Sequence, residues 1–361
     1  MRIGIDAREL CGRATGAGRY LHGLLRHWNV DESTRRHEFV LYAPEPLTVP
    51  FDERRFPTRL VRGIPNTWWE QVRLPPIAAR DHLDVFFSPA YTSPLGTRIP
   101  LVTAIHDVSF AAHPEWFSAR EGLRRRTITR RAARQSRAVV TISEFSRREI
   151  VEHLGVPESR VHVIPPGIEP PGRPPGGADR RPHVLYVGSI FNRRRVPDLI
   201  RAFEAVARSY PEVGLDIVGD DRTYPPQNPD EAIARSGLNG RATWRKFVSD
   251  DDLGRLYWSA RAFAFLSEYE GLGLTPLEAL AAGVPPVLLD TAVARESCGD
   301  AALYTAKGDI AGVTEALEHL LFDDSVRTRL LESAPTVLSK YAWPRAARAT
   351  MALLERSASA M

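Results

Sequence analysis

A stretch dense in proline and glycine divides the chain into two halves, and each half repeats the same alternation of strands and helices. Residues 165–182 read PPGIEPPGRPPGGADRRP. Proline and glycine at this density cannot sustain a helix or a central strand, so the stretch predicts a connector. The length of 361 residues also fits two domains of about 100–200 residues each. We therefore expect domains at 1–166 and 183–340, a linker at 167–182, and a last segment at 341–361.

Short apolar runs mark the strands of both halves. Most are continuous, which is typical of parallel sheets that are covered on both faces. They predict strands at 2–6, 38–43, 84–88, 101–105, 138–142 and 161–164, and again at 183–187, 215–218, 262–266, 286–289 and 302–304. Helical patterns lie between them, at 20–28, 120–135, 146–154, 197–210, 251–260, 275–282 and 308–321. The predicted fold class is α/β, with two doubly wound, Rossmann-like domains.

The composition excludes several other classes of protein. Hydrophobic residues make up 43% and charged residues 25% of the chain, which argues against disorder. Cys11 and Cys298 provide neither a disulfide framework nor a zinc site, as is typical of a reducing compartment. No apolar run reaches the length of a membrane helix, and the opening MRIGIDAREL lacks the layout of a signal peptide. We therefore expect a cytoplasmic protein.

The basic residues are almost all arginine. Of 48 lysines and arginines only three are lysine, a bias that fits a GC-rich genome. The alternative is an anionic partner, such as nucleotide phosphate, acidic lipid or acidic glycan. Finger, helix-turn-helix and aromatic-sheet motifs are absent from the sequence, so we expect no nucleic-acid partner.

The segment 267–283, SEYEGLGLTPLEALAAG, carries the clearest chemistry. It follows an apolar strand, and its glycine-rich loop leads into a predicted helix that Thr275 would cap. Glu278, three residues later, would complete a capping box. Unpaired amides at such a helix start bind anions. Glu270 and Glu278 flank the loop, and carboxylates suit the vicinal hydroxyls of a sugar or ribose, although Glu278 could serve as a cap alone.

The segment resembles the motif of retaining nucleotide-sugar glycosyltransferases of family 4, in which two glutamates are separated by seven residues. Here it reads EGLGLTPLEA from Glu270, followed by Gly283-Val284-Pro285. GIDAREL…TGAGRYLHGLL, IHDVSFAAHPEWFS, TISEFSRREI, YVGSIFNRRRVPDLIRAF and FVSDDDLGRLYWSA also resemble segments of the family. The resemblance implies a GT-B fold, with an acceptor-binding domain and a donor-binding domain facing across a cleft. It further implies that the helix at 341–361 returns to the first domain.

The resemblance also implies roles for individual residues. Glu278 would hold the donor's ribose hydroxyls, Glu270 the hydroxyls of the transferred sugar, and His106 would reach the same sugar. We expect Glu270 and His106 to be catalytic. The other expected donor-binding positions are the amides of the glycine loop, a basic pair for the leaving diphosphate and two glycines of the first domain: Gly271, Leu272, Gly273, Leu274, Arg193, Arg194, Gly16 and Gly18.

Several of these positions have a second interpretation. The run 193–195 could be a solvated stretch of arginines, and His106 could be a structural histidine. The glycines at 16 and 18 could form a plain turn, since Leu21 stands where a dinucleotide fingerprint needs a third glycine. The family often has lysine where this chain has Arg194, and the two side chains differ in geometry.

Asp250 and Asp252 are spaced like a metal-binding DxD motif, but Ser249 and these aspartates precede a helical run and favour its start by capping. The resemblance agrees, because the family stabilises the diphosphate without a bound metal. We expect no cofactor and no metal. The expected donor is an NDP-sugar, with GDP-mannose favoured by the resemblance of the N-terminal segment to bacterial mannosyltransferases of cell-surface glycan assembly.

Residues 120–137, REGLRRRTITRRAARQSR, contain eight arginines and one acid. A solvated helix face is the main interpretation, and peripheral contact with an anionic membrane is the alternative. Trp68 and Trp69 could border an acceptor groove or pack in the core or a lid. The function predicted is transfer of a hexose to a glycan, lipid-linked or small-molecule acceptor. The alternatives are an epimerase or hydrolase of the same fold and an inactive subunit that binds sugar nucleotides.

Overall fold

The computed structural model describes residues 1–12, 15–49, 51–173, 180–238 and 240–359. The chain divides into two compact units. The first consists of Met1–Gly167 with Tyr341–Met361, and the second is Ile168–Lys340. Of the predicted linker at 167–182, residues 174–179 lie outside the described part of the chain.

The first unit is built on a parallel sheet, which has seven strands within its described residues, in the order β3-β2-β1-β4-β5-β6-β7. Its strands are β1 (Arg2–Asp6), β2 (Glu38–Ala43), β3 (Thr58–Leu60), β4 (Val85–Ser88), β5 (Leu101–Ala104), β6 (Ala138–Thr141) and β7 (Val161–Val163). Its helices are α1 (Gly16–Val30), α2 (Leu74–Ala78), α3 (Ser109–Ala112), α4 (Ala119–Gln135) and α5 (Glu144–Leu154). The central strands are buried throughout, as their continuous apolar runs predict.

The second unit repeats this plan. Its described residues form a six-stranded parallel sheet in the order β10-β9-β8-β11-β12-β13. The strands are β8 (His183–Val187), β9 (Gly214–Val218), β10 (Ala242–Arg245), β11 (Ala262–Phe265), β12 (Pro286–Leu289) and β13 (Leu303–Thr305). The helices are α6 (Val196–Ser209), α7 (Pro229–Arg235), α8 (Asp250–Ser259), α9 (Leu274–Ala281), α10 (Ala292–Cys298), α11 (Ile310–Phe322) and α12 (Asp324–Leu338).

The last helix, α13 (Trp343–Ser359), packs in the first unit. The indole of Trp28 on α1 donates a hydrogen bond of 2.9 Å to the carbonyl of Ala347. Gly23 lets α13 approach α1 closely, because a Cβ at that position would lie 2.3 Å from the ring of Trp343. The predicted return of the C-terminal helix is therefore confirmed, together with the α/β fold class.

The sequence analysis missed β3 and β10, which both lie at a sheet edge. Their residues are largely exposed, because an edge strand packs less of its surface than a central one, and so they lack an apolar run. Among the described residues, no helix combines the length and apolar content that a bilayer span requires.

Candidate active site

The sheet order of the second unit opens a crevice at one edge. β8 lies between β9 and β11, so the chain leaves β8 toward one side and β11 toward the other. Loops at such a switch point diverge beyond the carboxyl ends of the strands, where ligands of open α/β sheets bind. The loops after β8 and β11 contain Arg193 and Arg194, and Glu270 with the glycine segment. The structure thus brings these predicted residues to a single sheet edge.

Arg194 and Glu270 form a partly buried ion pair that is joined by two hydrogen bonds. The guanidinium Nε and Nη2 donate to the two carboxylate oxygens at 2.7 and 3.0 Å. Nη1 donates to the carbonyl of Ser189 at 2.8 Å, and the hydroxyl of Ser267 donates to Glu270 at 2.8 Å. Burial lowers the pKa of the Arg194 guanidinium, but Glu270 and Tyr186 together outweigh burial and raise this pKa. Arg194 is therefore directed at Glu270 in this structure.

The other two arginines of the run have different partners. The guanidinium of Arg193 lies 4.3 Å from the centre of the Phe191 ring, in cation–π contact. Arg195 pairs with Glu268 at 2.9 Å and with Asp198 on the first turn of α6. The run is thus not a uniformly solvated stretch, and its members are held in separate places around the loop. The sequence analysis missed Glu268, which also accepts a bond from Lys307 at 2.7 Å.

The predicted capping box at the start of α9 is wrong. The helix begins at Leu274, and its cap residue is Gly273, with a φ of 87° and no side-chain cap bond. The Thr275 hydroxyl is buried without a hydrogen-bond partner in the described structure. Glu278 does not close a box but accepts a bond of 3.1 Å from the Tyr257 hydroxyl on α8. Because the cap residue is a glycine, it offers no side-chain acceptor to the amides at the start of α9, and such amides are the donors that anion binding uses.

Within the glycine segment, Gly271 and Leu272 are both buried. Leu272 is 2% exposed, so its side chain packs in the protein, and only its backbone is suited to ligand contact. Gly273 adopts the left-handed conformation that glycine favours. The cap of α9 therefore lies two residues before the predicted threonine cap.

His106 lies at the carboxyl end of β5 in the first unit. Its Nε2 contacts the carbonyl of Pro89 at 2.8 Å, and because a carbonyl only accepts, Nε2 must carry the proton. Burial lowers the pKa of His106, partly offset by the Pro89 contact, so the ring is neutral at neutral pH and its Nδ1 is an acceptor. The ring also packs edge-on against Tyr20 on α1, at 4.9 Å.

Gly16 and Gly18 lie in the first turn of α1, and not in a loop before a helix that starts near residue 20. Thr15 caps this helix, and its hydroxyl accepts a bond from the Gly18 amide at 3.0 Å. A Cβ at Gly18 would lie 2.3 Å from the carbonyl oxygen of Glu9, whereas a Cβ at Gly16 would meet open space. Glycine's low helix propensity concealed this turn in the sequence, although the cap threonine signals it.

A buried charge network at the end of β1 escaped the sequence analysis. Arg8 pairs with Asp6 at 3.2 Å and with Glu70 at 2.5 Å, and Thr92 donates to Glu70 at 2.7 Å. Burial raises the pKa of Asp6 to about 6, although Arg8 opposes the shift. β1 lies between β2 and β4, so the network sits at the switch point of the first sheet. Its only sequence signal is an acid at a strand end.

Asp250 and Asp252 belong to a helix start, as predicted. Ser249 caps α8 and its hydroxyl accepts from the Asp252 amide at 3.1 Å. Within the described part of the chain, the group of metal-ligating side chains found close together is Glu149, Glu152 and His153 on α5, and neither aspartate belongs to it.

Sequence comparison identifies the family. Residues 14–171 match the model of Glycosyltransferase Family 4, and residues 173–337 match that of Glycosyl transferases group 1. The chain is a glycosyltransferase of the family 4 type. The family predicted from the two spaced glutamates is therefore confirmed, and so is the prediction of an enzyme.

Relatives of this glycosyltransferase include mannosyltransferases at modest identity. O-antigen chain mannosyltransferase B of Escherichia coli is 25% identical over 284 residues, which cover 74% of this chain and 73% of that protein. GDP-mannose:cellobiosyl-diphosphopolyprenol alpha-mannosyltransferase of Xanthomonas oryzae pv. oryzae is 28% identical over 202 residues, 56% of this chain and 52% of that protein. The match to the second relative thus spans about half of its length.

Solved structures with a similar fold align with nearly all of this chain. Sucrose-phosphate synthase of Thermosynechococcus elongatus has a TM-score of 0.76 at 16% identity, over 100% of both chains. HepE of Anabaena, solved with UDP and glucose, has a TM-score of 0.75 at 18% identity, over 99% of this chain and 100% of that chain. At these identities the likeness establishes the fold, which is the predicted GT-B fold.

Proposed function

We propose that this glycosyltransferase moves mannose from GDP-mannose to a glycan, lipid-linked or small-molecule acceptor, with retention at the anomeric carbon. The names of the two relatives support mannose as the transferred sugar, and one of them names GDP-mannose as donor and an alpha-mannoside as product. Mannose is α-linked to phosphate in GDP-mannose, so an α-linked product retains the configuration.

The observation that carries this proposal is the Arg194–Glu270 pair beside the start of α9, where the cap residue is Gly273. The amides of residues 271–274 and the guanidinium of Arg193 would hold the diphosphate, since helix starts and arginines both favour phosphate. Glu278, oriented by the Tyr257 hydroxyl, would accept from the ribose hydroxyls. Glu270, fixed by Arg194, would accept from the hydroxyls of the mannose.

The chemistry we propose breaks the bond between the anomeric carbon and the diphosphate and forms a bond to the acceptor oxygen on the same face. The acceptor proton passes to the departing phosphate oxygen, so no protein base is needed. Negative charge grows on the leaving group, where Arg193 and the amides at the start of α9 would stabilise it. These donors provide the stabilisation without a metal, and we expect transfer to persist in a chelator.

In the first unit we assign His106 to the transferred sugar. Its neutral ring and protonated Nε2 leave Nδ1 as an acceptor for a sugar hydroxyl. Gly16 would permit close approach to the diphosphate or the acceptor at the start of α1, where the open space beside it suits a ligand. Gly18 would contribute only through its backbone, because the Glu9 carbonyl occupies the space of its missing Cβ.

The test is incubation with a panel of nucleotide sugars and acceptors, with products analysed by mass spectrometry and anomeric NMR. We expect mannosylated product from GDP-mannose, and its loss in Glu270→Ala with the fold retained. Arg208→Met, which alters an exposed pair on α6, is the control and should keep full activity. Free mannose or an epimer without acceptor would favour the hydrolase or epimerase, and binding without turnover the inactive subunit.

A further inference from the structure

Among the large apolar side chains that the first unit exposes to solvent, four lie in residues 64–72 and on α4. Ile64 is 76% exposed, Trp68 56%, Val72 52% and Leu123 60%. Single exposed apolar residues are common on protein surfaces, but a contiguous group of them marks a contact surface. The question is therefore whether these four lie together.

Side-chain contacts join the three segments that carry them. The indole of Trp69 is buried and donates to the carbonyl of Val61 at 2.5 Å, which fixes the segment before Ile64 against the π-helical turn Trp69–Arg73. Arg124 on α4, next to Leu123, donates to the Thr67 hydroxyl at 2.7 Å. Trp68 and Val72 are four residues apart, a spacing that places them on one side of a helical turn. We call these four residues the apolar patch.

Arginines surround the apolar patch. Arg73 lies over the Trp68 ring at 5.5 Å, and Arg62, Arg120 and Arg125 are exposed in the same segments. The acid that faces them is Glu121, which pairs with Arg124 and Arg125 at 2.8 and 2.6 Å. Residues 120–137 contain eight arginines and one acid, so positive charge prevails around the patch.

Two arginines in the second half of α4 contact another helix of the first unit. Arg130 and Arg134 donate to the carbonyls of His153 and Leu154, at 3.0 and 3.2 Å, and so join α4 to α5. The arginines near the start of α4 and around Trp68 are exposed, namely Arg120, Arg125, Arg62 and Arg73. This places the remaining charge next to the apolar patch.

We propose that the apolar patch and its arginines dock the glycosyltransferase on an anionic lipid bilayer. Tryptophan prefers the level of the headgroups, aliphatic side chains gain by entering the acyl region, and arginines attract anionic headgroups. A soluble polyanion would engage the arginines but would give Ile64 and Leu123 no hydrocarbon to enter. The proposal concerns the first unit only and does not depend on the donor or on turnover.

Sedimentation with vesicles tests this directly. The wild-type chain should bind vesicles of phosphatidylcholine with 30% phosphatidylglycerol and not vesicles of phosphatidylcholine alone. Trp68→Ser with Leu123→Ser should weaken binding about tenfold or more, from the lost apolar burial. Arg73→Gln with Arg120→Gln should weaken it about 25-fold, at about fivefold per arginine. Val30→Ser, an exposed apolar residue (71%) on α1, is the matched control and should bind as wild type.

The variants' unfolding temperatures and transfer to a soluble acceptor show that they are folded and active. Full binding by the Trp68/Leu123 double variant would overturn the proposal, because a purely electrostatic contact with any polyanion would then suffice. Equal binding of the wild type to neutral and anionic vesicles, or no binding to either, would overturn it without any variant.

Discussion

The ion pair between Arg194 and Glu270 can be broken from either side, and the structure sets the expected cost. The two side chains are 14% and 17% exposed and joined by two hydrogen bonds. Removing one partner leaves the other charged and unpaired. This costs about 3–5 kcal/mol in a fully buried pair, so we expect about 3 kcal/mol, the low end of that range, for this partly buried one. We expect Arg194→Met and Glu270→Gln each to lower the free energy of unfolding of the second unit by this amount.

The double variant should lower the free energy of unfolding by less than the sum of the two single variants, because it leaves no charged side chain unpaired. A hydrogen bond to a charged group contributes about 1.5–3 kcal/mol, so we expect a coupling energy of at least about 2 kcal/mol. Native-state hydrogen exchange of the amides in β8 and β11, in the absence of substrate, measures it in the unit concerned.

The matched control is the exposed pair of Glu204 and Arg208 on α6, where the arginine side chain is 73% exposed. Glu204→Gln and Arg208→Met should couple by about 0.3–0.5 kcal/mol. A coupling energy between Arg194 and Glu270 that is no larger than that of this control pair would refute the reasoning. Arg194 could then bind the diphosphate at no cost from breaking its pair with Glu270.

Three further predictions concern other residues of the two units. Burial raises the pKa of Asp6 to about 6 from 3.8, so the folded state favours its protonated form. Relative to Asp6→Asn, the free energy of unfolding of the parent should rise by about 2 kcal/mol as the pH falls from 7 to 4. Urea titrations at several pH values check this, and parallel pH profiles would contradict it. Gly18→Ala should destabilise the first unit by about 1–3 kcal/mol, because its Cβ would lie 2.3 Å from a backbone carbonyl. Gly16→Ala, in contrast, should leave the stability unchanged or raise it by up to about 1 kcal/mol. Thermal unfolding measures both variants, and equal effects would refute the reasoning. Tyr257→Phe removes the hydrogen bond that orients Glu278 and should raise the KM for the donor about fivefold, equivalent to about 1 kcal/mol. An unchanged KM in steady-state kinetics would contradict the assignment of Glu278 to the ribose.

Sequence periodicity was a sound guide wherever a segment is buried on both sides. The central strands β1, β4, β8 and β11 and the loops after β8 and β11 were predictable, because burial dictates an apolar run and strand ends dictate where ligands bind. The edge strands β3 and β10 carried no such run. Their exposed residues look like loop in the sequence.

Contacts between distant residues could not be predicted. Arg194 and Glu270 are 76 residues apart, and Arg8 and Glu70 are 62 apart, so no local spacing announces either pair. The capping box failed for a local reason: Gly273 turns the chain into α9 before Thr275 is reached.

The most direct test is a crystal structure of the chain with GDP-mannose. We predict that the diphosphate lies within hydrogen-bond distance of the amides of residues 271–274 and of Arg193, with the ribose on Glu278 and the mannose on Glu270. Nucleotide density away from the carboxyl ends of β8 and β11 would contradict it.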